Sequence, residues 1–383
     1  MDAREGRESF LRTVTQVTAE RAAARPVINS LRTSGADVWD SEIPPSWRNA
    51  GFVQELTAAA SAVLESDPRD SLALAQLALA IATSIPARRY TPTVQAQLEG
   101  TAWKEIGTAH RYLSEYDAAL RAYDAAHRSF AAAHALAHDD AIVDFARAIV
   151  LTDLGRHDEA LELLRSVEPV FRGFEDQQRL VKVAMLTGIA QYGRGQFKDA
   201  KTTFEKALED VSLDDLHTRA MLYENLGVAC MELSENNDAV LMLHNARQLL
   251  NDLGLTAELN RCDWNIARVL LQTAEFGKAA TMLQRVRTFF LEKGMQEEAG
   301  LAGLDLADAS IAIGATDDAR VLVFRVLDEF ARARLNDRAL TALAYLRDAL
   351  PTTPQPSHVV RHVRHYLDRL RSEPTLLFLP LPD

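Results

Sequence analysis

The sequence predicts an all-α chain, a right-handed superhelical solenoid of stacked helix pairs, and three observations carry that prediction. The composition is rich in Ala and Leu, with 48% hydrophobic residues and only 17 Gly and 13 Pro in 383 residues, which suits long packed helices and not sheets or disorder. A residue pattern that first appears in residues 101–130 returns five more times at a nearly constant period. Short turn segments split each returning unit into two helical stretches.

Taken in order, residues 5–33 set Phe10, Leu11, Val14, Val17, Val27 and Ile28 among Arg, Glu and Thr, so one or two short amphipathic helices broken near Pro26 are expected. No helix-turn-helix pattern is visible there. Residues 34–50 gather Gly35, Pro44, Pro45, Trp39 and Trp47, a connector anchored by aromatic packing. A helix is predicted over 52–65, carrying Val53, Leu56, Ala60, Val63 and Leu64. The segment Ser66-Asp67-Pro68-Arg69-Asp70-Ser71 ends it and starts the next helix, over 71–84. This pair reads as a degenerate leading repeat. A loop over 87–93 leads into a helix that begins near Thr93 and runs through Trp103.

The repeat is checked by counting. A central alanine recurs at Ala119, Ala160, Ala200, Ala239, Ala279 and Ala319, at intervals of 41, 40, 39, 40 and 40 residues. Twelve residues before each stands a small residue: Gly107, Ala148, Gly188, Gly227, Ala267 and Ala307. Four residues after each stands a bulky one: Tyr123, Leu164, Phe204, Leu243, Leu283 and Val323. Small residues let two antiparallel helices approach, and the bulky residue fills the space beside them. The chain therefore divides into an N-terminal helical segment and connector (1–50), a repeat body (51–350) and a C-terminal helix with an apolar tail (351–383). Three prolines, Pro351, Pro354 and Pro356, mark that last boundary.

Trp103, Ile106 and Gly107 share one face of a first helix, Tyr116 follows in the turn, and Ala119, Tyr123 and Ala126 share a face of a second helix. This pattern resembles the tetratricopeptide repeat (TPR). The period of about 40 exceeds the usual 34 by about one and a half helical turns, so the chain is similar to the longer-helix TPRs of kinesin light chain, the Leu-Gly-Asn repeat proteins, the Rap-type peptide receptors and bacterial TPR adaptors and regulators. The resemblance implies a protein-protein interaction scaffold that holds a peptide segment of a partner protein in a concave groove. Two alternatives stay open: a peptide-sensing receptor that compacts on its ligand, and a permanent structural subunit of a larger complex.

In that reading the first helix of each unit lines the groove. Asn225, Asn265 and Asp305 stand one residue before the Leu226/Gly227, Ile266/Ala267 and Leu306/Ala307 pairs, at a stride of 40. In TPR peptide receptors an asparagine at this place holds peptide backbone through its donor and acceptor, and the resemblance carries that role to Asn225 and Asn265. Earlier units depart from the pattern, with Glu105, Ala146 and Leu186 there. Around the ladder, Lys182, Met185, Ile189 and Tyr192, then Met221, Glu224, Val228 and Met231, then Arg261, Trp264 and Arg268 are the expected partner contacts.

The sequence also sets limits. A net charge of −12 disfavours direct contact with nucleic acid. Cys230 and Cys262 lie within repeat helices and read as buried free thiols. The charged N-terminus and the lack of a long apolar run argue against membrane insertion and for a cytoplasmic protein. Phosphate loops and nucleophile elbows are missing, so no enzyme, catalytic residue, cofactor or metal is expected. His134 with His138, and His358 with His362 and His365, have ligand-like spacings but lack the rest of a metal motif. The helix over 358–371 carries Arg361, Arg364, Arg369 and Arg371 and is expected to be solvated or to meet an acidic partner, with the tail packed on the last repeat as a cap.

Overall fold

The computed structural model describes residues 3–34, 42–131, 137–332, 337–351, 353–372 and 376–381, and among these every regular element is helical. Two compact units divide the chain: residues 1–151 with 162–176, and residues 152–161 with 177–383.

The first unit opens with α1 (Ala3–Ser34), one continuous helix that runs through Pro26. The expected break is absent for a physical reason. Pro26 removes one backbone donor, but Ala24 and Ile28 on either side are buried in the same core as α2 (Ala50–Val63) and α3 (Pro68–Ser84). Arg21 and Arg25 also grip Glu55 of α2, with Arg21 Nε 2.8 Å from Glu55 Oε1. Tertiary contacts thus offset the local cost of the proline. Trp47 stacks on Phe52 with ring centroids 5.3 Å apart, as expected of an anchored connector; Trp39 lies outside the described residues. The α3 helix starts earlier than predicted because the Asp67 carboxylate accepts from Arg69 N and Asp70 N, with Pro68 at the first position. Then come α4 (Pro92–Tyr112), α5 (Tyr116–Ala131) and α6 (Ala137–Asp153), followed by α7 (His157–Gly173).

The second unit stacks α8 (Gln177–Gly193) on α9 (Phe197–Asp210), α10 (Leu216–Glu232) on α11 (Asn236–Asp252), α12 (Thr256–Gln272) on α13 (Phe276–Glu292) and α14 (Gln296–Ala312) on α15 (Thr316–Arg332). The helices α16 (Asp337–Ala349) and α17 (Pro356–Ser372) complete it. One turn design recurs between described helices of the second unit. After α11, Gly254 adopts φ +70 and Leu255 N donates to Leu250 O at 3.0 Å, the left-handed cap that closes a helix end. Ser234 and Ala274 take the same backbone without glycine.

Contacts between paired helices follow the counted pattern. All six central alanines are fully buried. A Cβ added at Gly107 would lie 2.6 Å from the Tyr123 ring, and one at Gly227 would lie 2.7 Å from Leu243 Cγ. Gly188 meets the Phe204 ring in the same way. Where the small residue is Ala (Ala148, Ala267, Ala307) the bulky partner position holds Leu164, Leu283 or Val323, so the aromatic rings at this seam face glycine and the alanines face aliphatic side chains. A second seam, not anticipated from the sequence, lies eleven residues after each central alanine. Phe130, Phe171, Phe290 and Phe330 there are at most 2% exposed, and Gly300 makes room for the Phe330 ring.

The helix α14 differs from the other first helices of the pairs. Every residue from Ala299 to Ala309 is buried, because α17 folds back across its free side. The tail then returns over α16 and α17. Phe378 sits between Tyr345, His362 and Tyr366, with centroid distances of 5.2, 5.4 and 5.0 Å, and His362 Nε2 lies 2.8 Å from Leu379 O. The tail was expected on the last repeat, and its described contacts are instead with α16 and α17, beyond the sixth helix pair.

Candidate peptide-binding wall

In the second unit α8, α10, α12 and α14 stand side by side and form a wall. The three stacked positions of the expected ladder have three different fates along it. Asn225 on α10 is half-buried, and its carboxamide makes no hydrogen bond with any described residue. Asn265 on α12 already spends its donor, with Nδ2 3.0 Å from Glu224 Oε1. Asp305 on α14 is closed off, accepting from Trp264 Nε1 at 2.7 Å and from Arg364 Nε of α17 at 3.1 Å.

The remaining expected residues also differ in their surroundings. Lys182 on α8 is half-buried and forms no ion pair with a described residue. Its charge acts at a distance on Asp215, whose carboxylate caps α10 by accepting from Thr218 N at 3.1 Å. Burial would raise the Asp215 pKa, but the Thr218 bonds and Lys182 bring it below the ordinary value. Met185 packs partly buried against the α8–α12 core. Of the residues expected around the ladder, Met231 is 1% exposed and belongs to that core.

Tyr192 donates to Glu232 Oε1 at 3.1 Å, and Arg268 reaches the same carboxylate at 3.8 Å. Burial and Glu232 both push the Tyr192 pKa up, so its hydroxyl stays a donor. Arg268 also lies 3.9 Å from Asp368 of α17, and exposed Arg261 lies 3.4 Å from Glu298 of α14. Burial pushes the Glu224 carboxyl up to about 7, against the Asn265 bond and the Arg261 charge, so near neutrality it exists in both protonation states.

Trp264 and Asp305 were expected to face a partner, and they instead face the chain's own α17. Trp264 is 8% exposed, with the Arg364 guanidinium 5.5 Å from its ring centre, a cation–π arrangement. Arg361 Nε lies 2.7 Å from Asp308 Oδ2. The acidic partner foreseen for the basic helix is therefore α14 of the same chain. Three participants, Glu232, Asp308 and Asp368, escaped the sequence reading. The run of α14 from Ala299 to Ala309, apolar but for Asp305 and Asp308, was the available signal, since a helix apolar on nearly every face must be covered on nearly every face.

Of the histidines weighed for metal, His134 lies outside the described residues, and His138 Nε2 is held by Asp176 at 2.9 Å. Among the described residues, His127, Asp140 and Asp144 place one ligand atom each within 4.8 Å of one another. His127 Nδ1 lies 2.7 Å from Asp140 Oδ1, and Arg147 pairs with Asp144 at 2.9 Å. Both cysteines are buried free thiols, and burial pushes Cys230 up to about 11. No described helix is long and apolar enough to cross a membrane.

Comparison with solved structures decides the fold. The chain superimposes on apo RapI with a TM-score of 0.60 at 12% identity, over 95% of this chain and 97% of that one. This is a TPR-type helical-repeat fold. The chain is also similar to the apo quorum sensor NprR from B. thuringiensis (TM-score 0.54, 12% identity, 86% of this chain and 100% of that one). It matches as well the Rap conjugation gene regulator of plasmid pLS20 in complex with the Phr* peptide (TM-score 0.55, 12% identity, 86% and 98%). No protein-family model matches the sequence, and no curated protein matches it.

Proposed function

We propose that this TPR chain is a protein-interaction regulator that holds an extended peptide segment of a partner protein along α8, α10 and α12. The observation that carries the reading is the uncommitted carboxamide of Asn225 on α10, on a wall that also carries Lys182 of α8, which forms no ion pair with a described residue, while Asn265 and Tyr192 already hold partners within the chain. A carboxamide offers peptide backbone both a donor and an acceptor. Lys182, Arg261 and Arg268 favour a segment with acidic side chains. The pLS20 regulator, of the same fold, binds the Phr* peptide, which supports a peptide as the ligand class here. Net contributions of about 0.5–1.5 kcal/mol per hydrogen bond mean that Met185 and other apolar anchors must supply the rest. The role is binding and regulation, with no catalytic step.

The experiment is titration of acidic, extended peptides into the intact chain and into Asn225→Ala and Lys182→Ala chains by fluorescence anisotropy. Affinity should fall in both variants while the melting temperature stays put. Peptide affinity indifferent to both substitutions would remove the α8–α10 part of the wall from the site.

A further inference from the structure

The far end of the wall carries a second kind of recognition. On α14, Asp305 and Asp308 lie three residues apart, about one turn, and both are buried. On α17, Arg361 and Arg364 have the same spacing and meet them one to one, Arg361 Nε to Asp308 Oδ2 at 2.7 Å and Arg364 Nε to Asp305 Oδ1 at 3.1 Å. The indole of Trp264 backs the second pair. Around this charged centre Val359, Val360, Val363, Tyr366, Leu367 and Leu370 are buried against the unit. The fit is incomplete in one respect: Asp308 Oδ1 is buried with no hydrogen-bond partner, an acceptor that a bidentate arginine would fill. The resident helix hangs on a proline-bearing link (Pro351, Pro354, Pro356), and ion pairs in such a contact cost desolvation that a solvated helix does not bear.

We propose that Asp305, Asp308 and Trp264 form a recognition site for an amphipathic helix carrying two arginines three residues apart. In this chain α17 fills the site, and a partner protein's helix of the same chemistry takes its place. This rests on the reading of the wall as a partner-binding surface and names a partner class for its α12–α14 end. The resident helix lowers the apparent affinity for the incoming one by the fraction of time that it stays docked.

The test uses the full chain and a fluorescent synthetic peptide of residues 356–372. Charge reversal in the chain, Arg361→Glu with Arg364→Glu, frees the site and should tighten peptide binding about tenfold or more over the parent. Adding Asp305→Asn and Asp308→Asn should abolish it. A reversed chain that keeps its helix content yet does not take the peptide, or takes it equally with both aspartates replaced, overturns the proposal. Should the reversed chain fail to fold, hydrogen exchange of the ¹⁵N-labelled parent decides. Excess peptide should speed exchange of α17 amides, and a peptide with both arginines changed to Ala should not; unchanged exchange in both cases overturns the proposal. Asn225→Ala should leave this helix binding untouched, so a failure here with Asn225-dependent peptide binding intact sinks only the helix site.

Discussion

Arg364 and Asp305, 59 residues apart in sequence, form a buried ion pair between α17 and α14, and each is 7% exposed. Burial alone would lower the Arg364 pKa, but Asp305 and Asp368 raise it and keep the guanidinium charged. The pair fastens the C-terminal helix onto the wall at the position where the repeat pattern predicts a partner contact.

Removing one member of that pair should be costly. Arg364→Ala leaves the Asp305 carboxylate buried with only the Trp264 donor, and a loss of about 3–5 kcal/mol is expected. Arg361 is largely exposed, but its partner Asp308 is buried and has no other hydrogen-bond donor among the described residues, so Arg361→Ala should cost about 1–3 kcal/mol, less than Arg364→Ala. Chemical denaturation of both variants checks the difference; equal losses would mean that α17 is not held through Arg364.

The seam between paired helices predicts a compensated substitution. Gly107→Ala places a methyl 2.6 Å from the rigid Tyr123 ring and should destabilise by about 1–3 kcal/mol. Following the Ala148/Leu164 and Ala267/Leu283 units, Gly107→Ala with Tyr123→Leu should recover part of that loss. A double variant no better than the sum of the singles would mean that residues 107 and 123 are not coupled across this seam.

Much of this was legible in the sequence. The helix pairs, their boundaries to within a few residues, and the Gly107/Tyr123 type of seam follow from a 40-residue count, because these contacts are local and repeat. Continuity of α1 through Pro26 was not legible, since it depends on Ala24, Ile28 and Glu55 meeting across helices. The fate of Trp264 and Asp305 was hidden for the same reason: their covering residues Arg361 and Arg364 break the repeat and return from outside it. The Asn225 and Asn265 positions look equivalent in sequence, yet only the structure gives Asn265 its neighbour Glu224.

Glu224 gives a pH dependence. Its folded pKa of about 7 stands above the ordinary 4.5, so between those values the folded chain binds the extra proton and the unfolded chain does not. Stability from this group is therefore greatest at low pH and falls as pH rises from about 4.5 to about 7, then levels off. Glu224→Gln keeps an acceptor for Asn265 and should remove that slope, gaining about 1–3 kcal/mol relative to the parent at pH 8. Denaturant unfolding at a series of pH values compares the two; parallel curves would mean that Glu224 titrates normally.

Asn225 and Asn265 should separate binding from stability. Asn225→Ala breaks no internal hydrogen bond and should change stability by no more than about 0.5 kcal/mol. Asn265→Ala takes a donor from half-buried Glu224 and should cost about 1–3 kcal/mol. Thermal melts read this directly, and a large loss in Asn225→Ala would assign that side chain to the core.

The most direct test of the binding wall is selection of a displayed random-peptide library on the intact chain. The enriched sequences would then be titrated as synthetic peptides into the parent and into Asn225→Ala. Acidic extended peptides that bind the parent and lose about two- to tenfold on removal of the Asn225 carboxamide are the predicted result. No enriched peptide, or peptides that bind both chains equally, would contradict a peptide-holding wall along α8, α10 and α12.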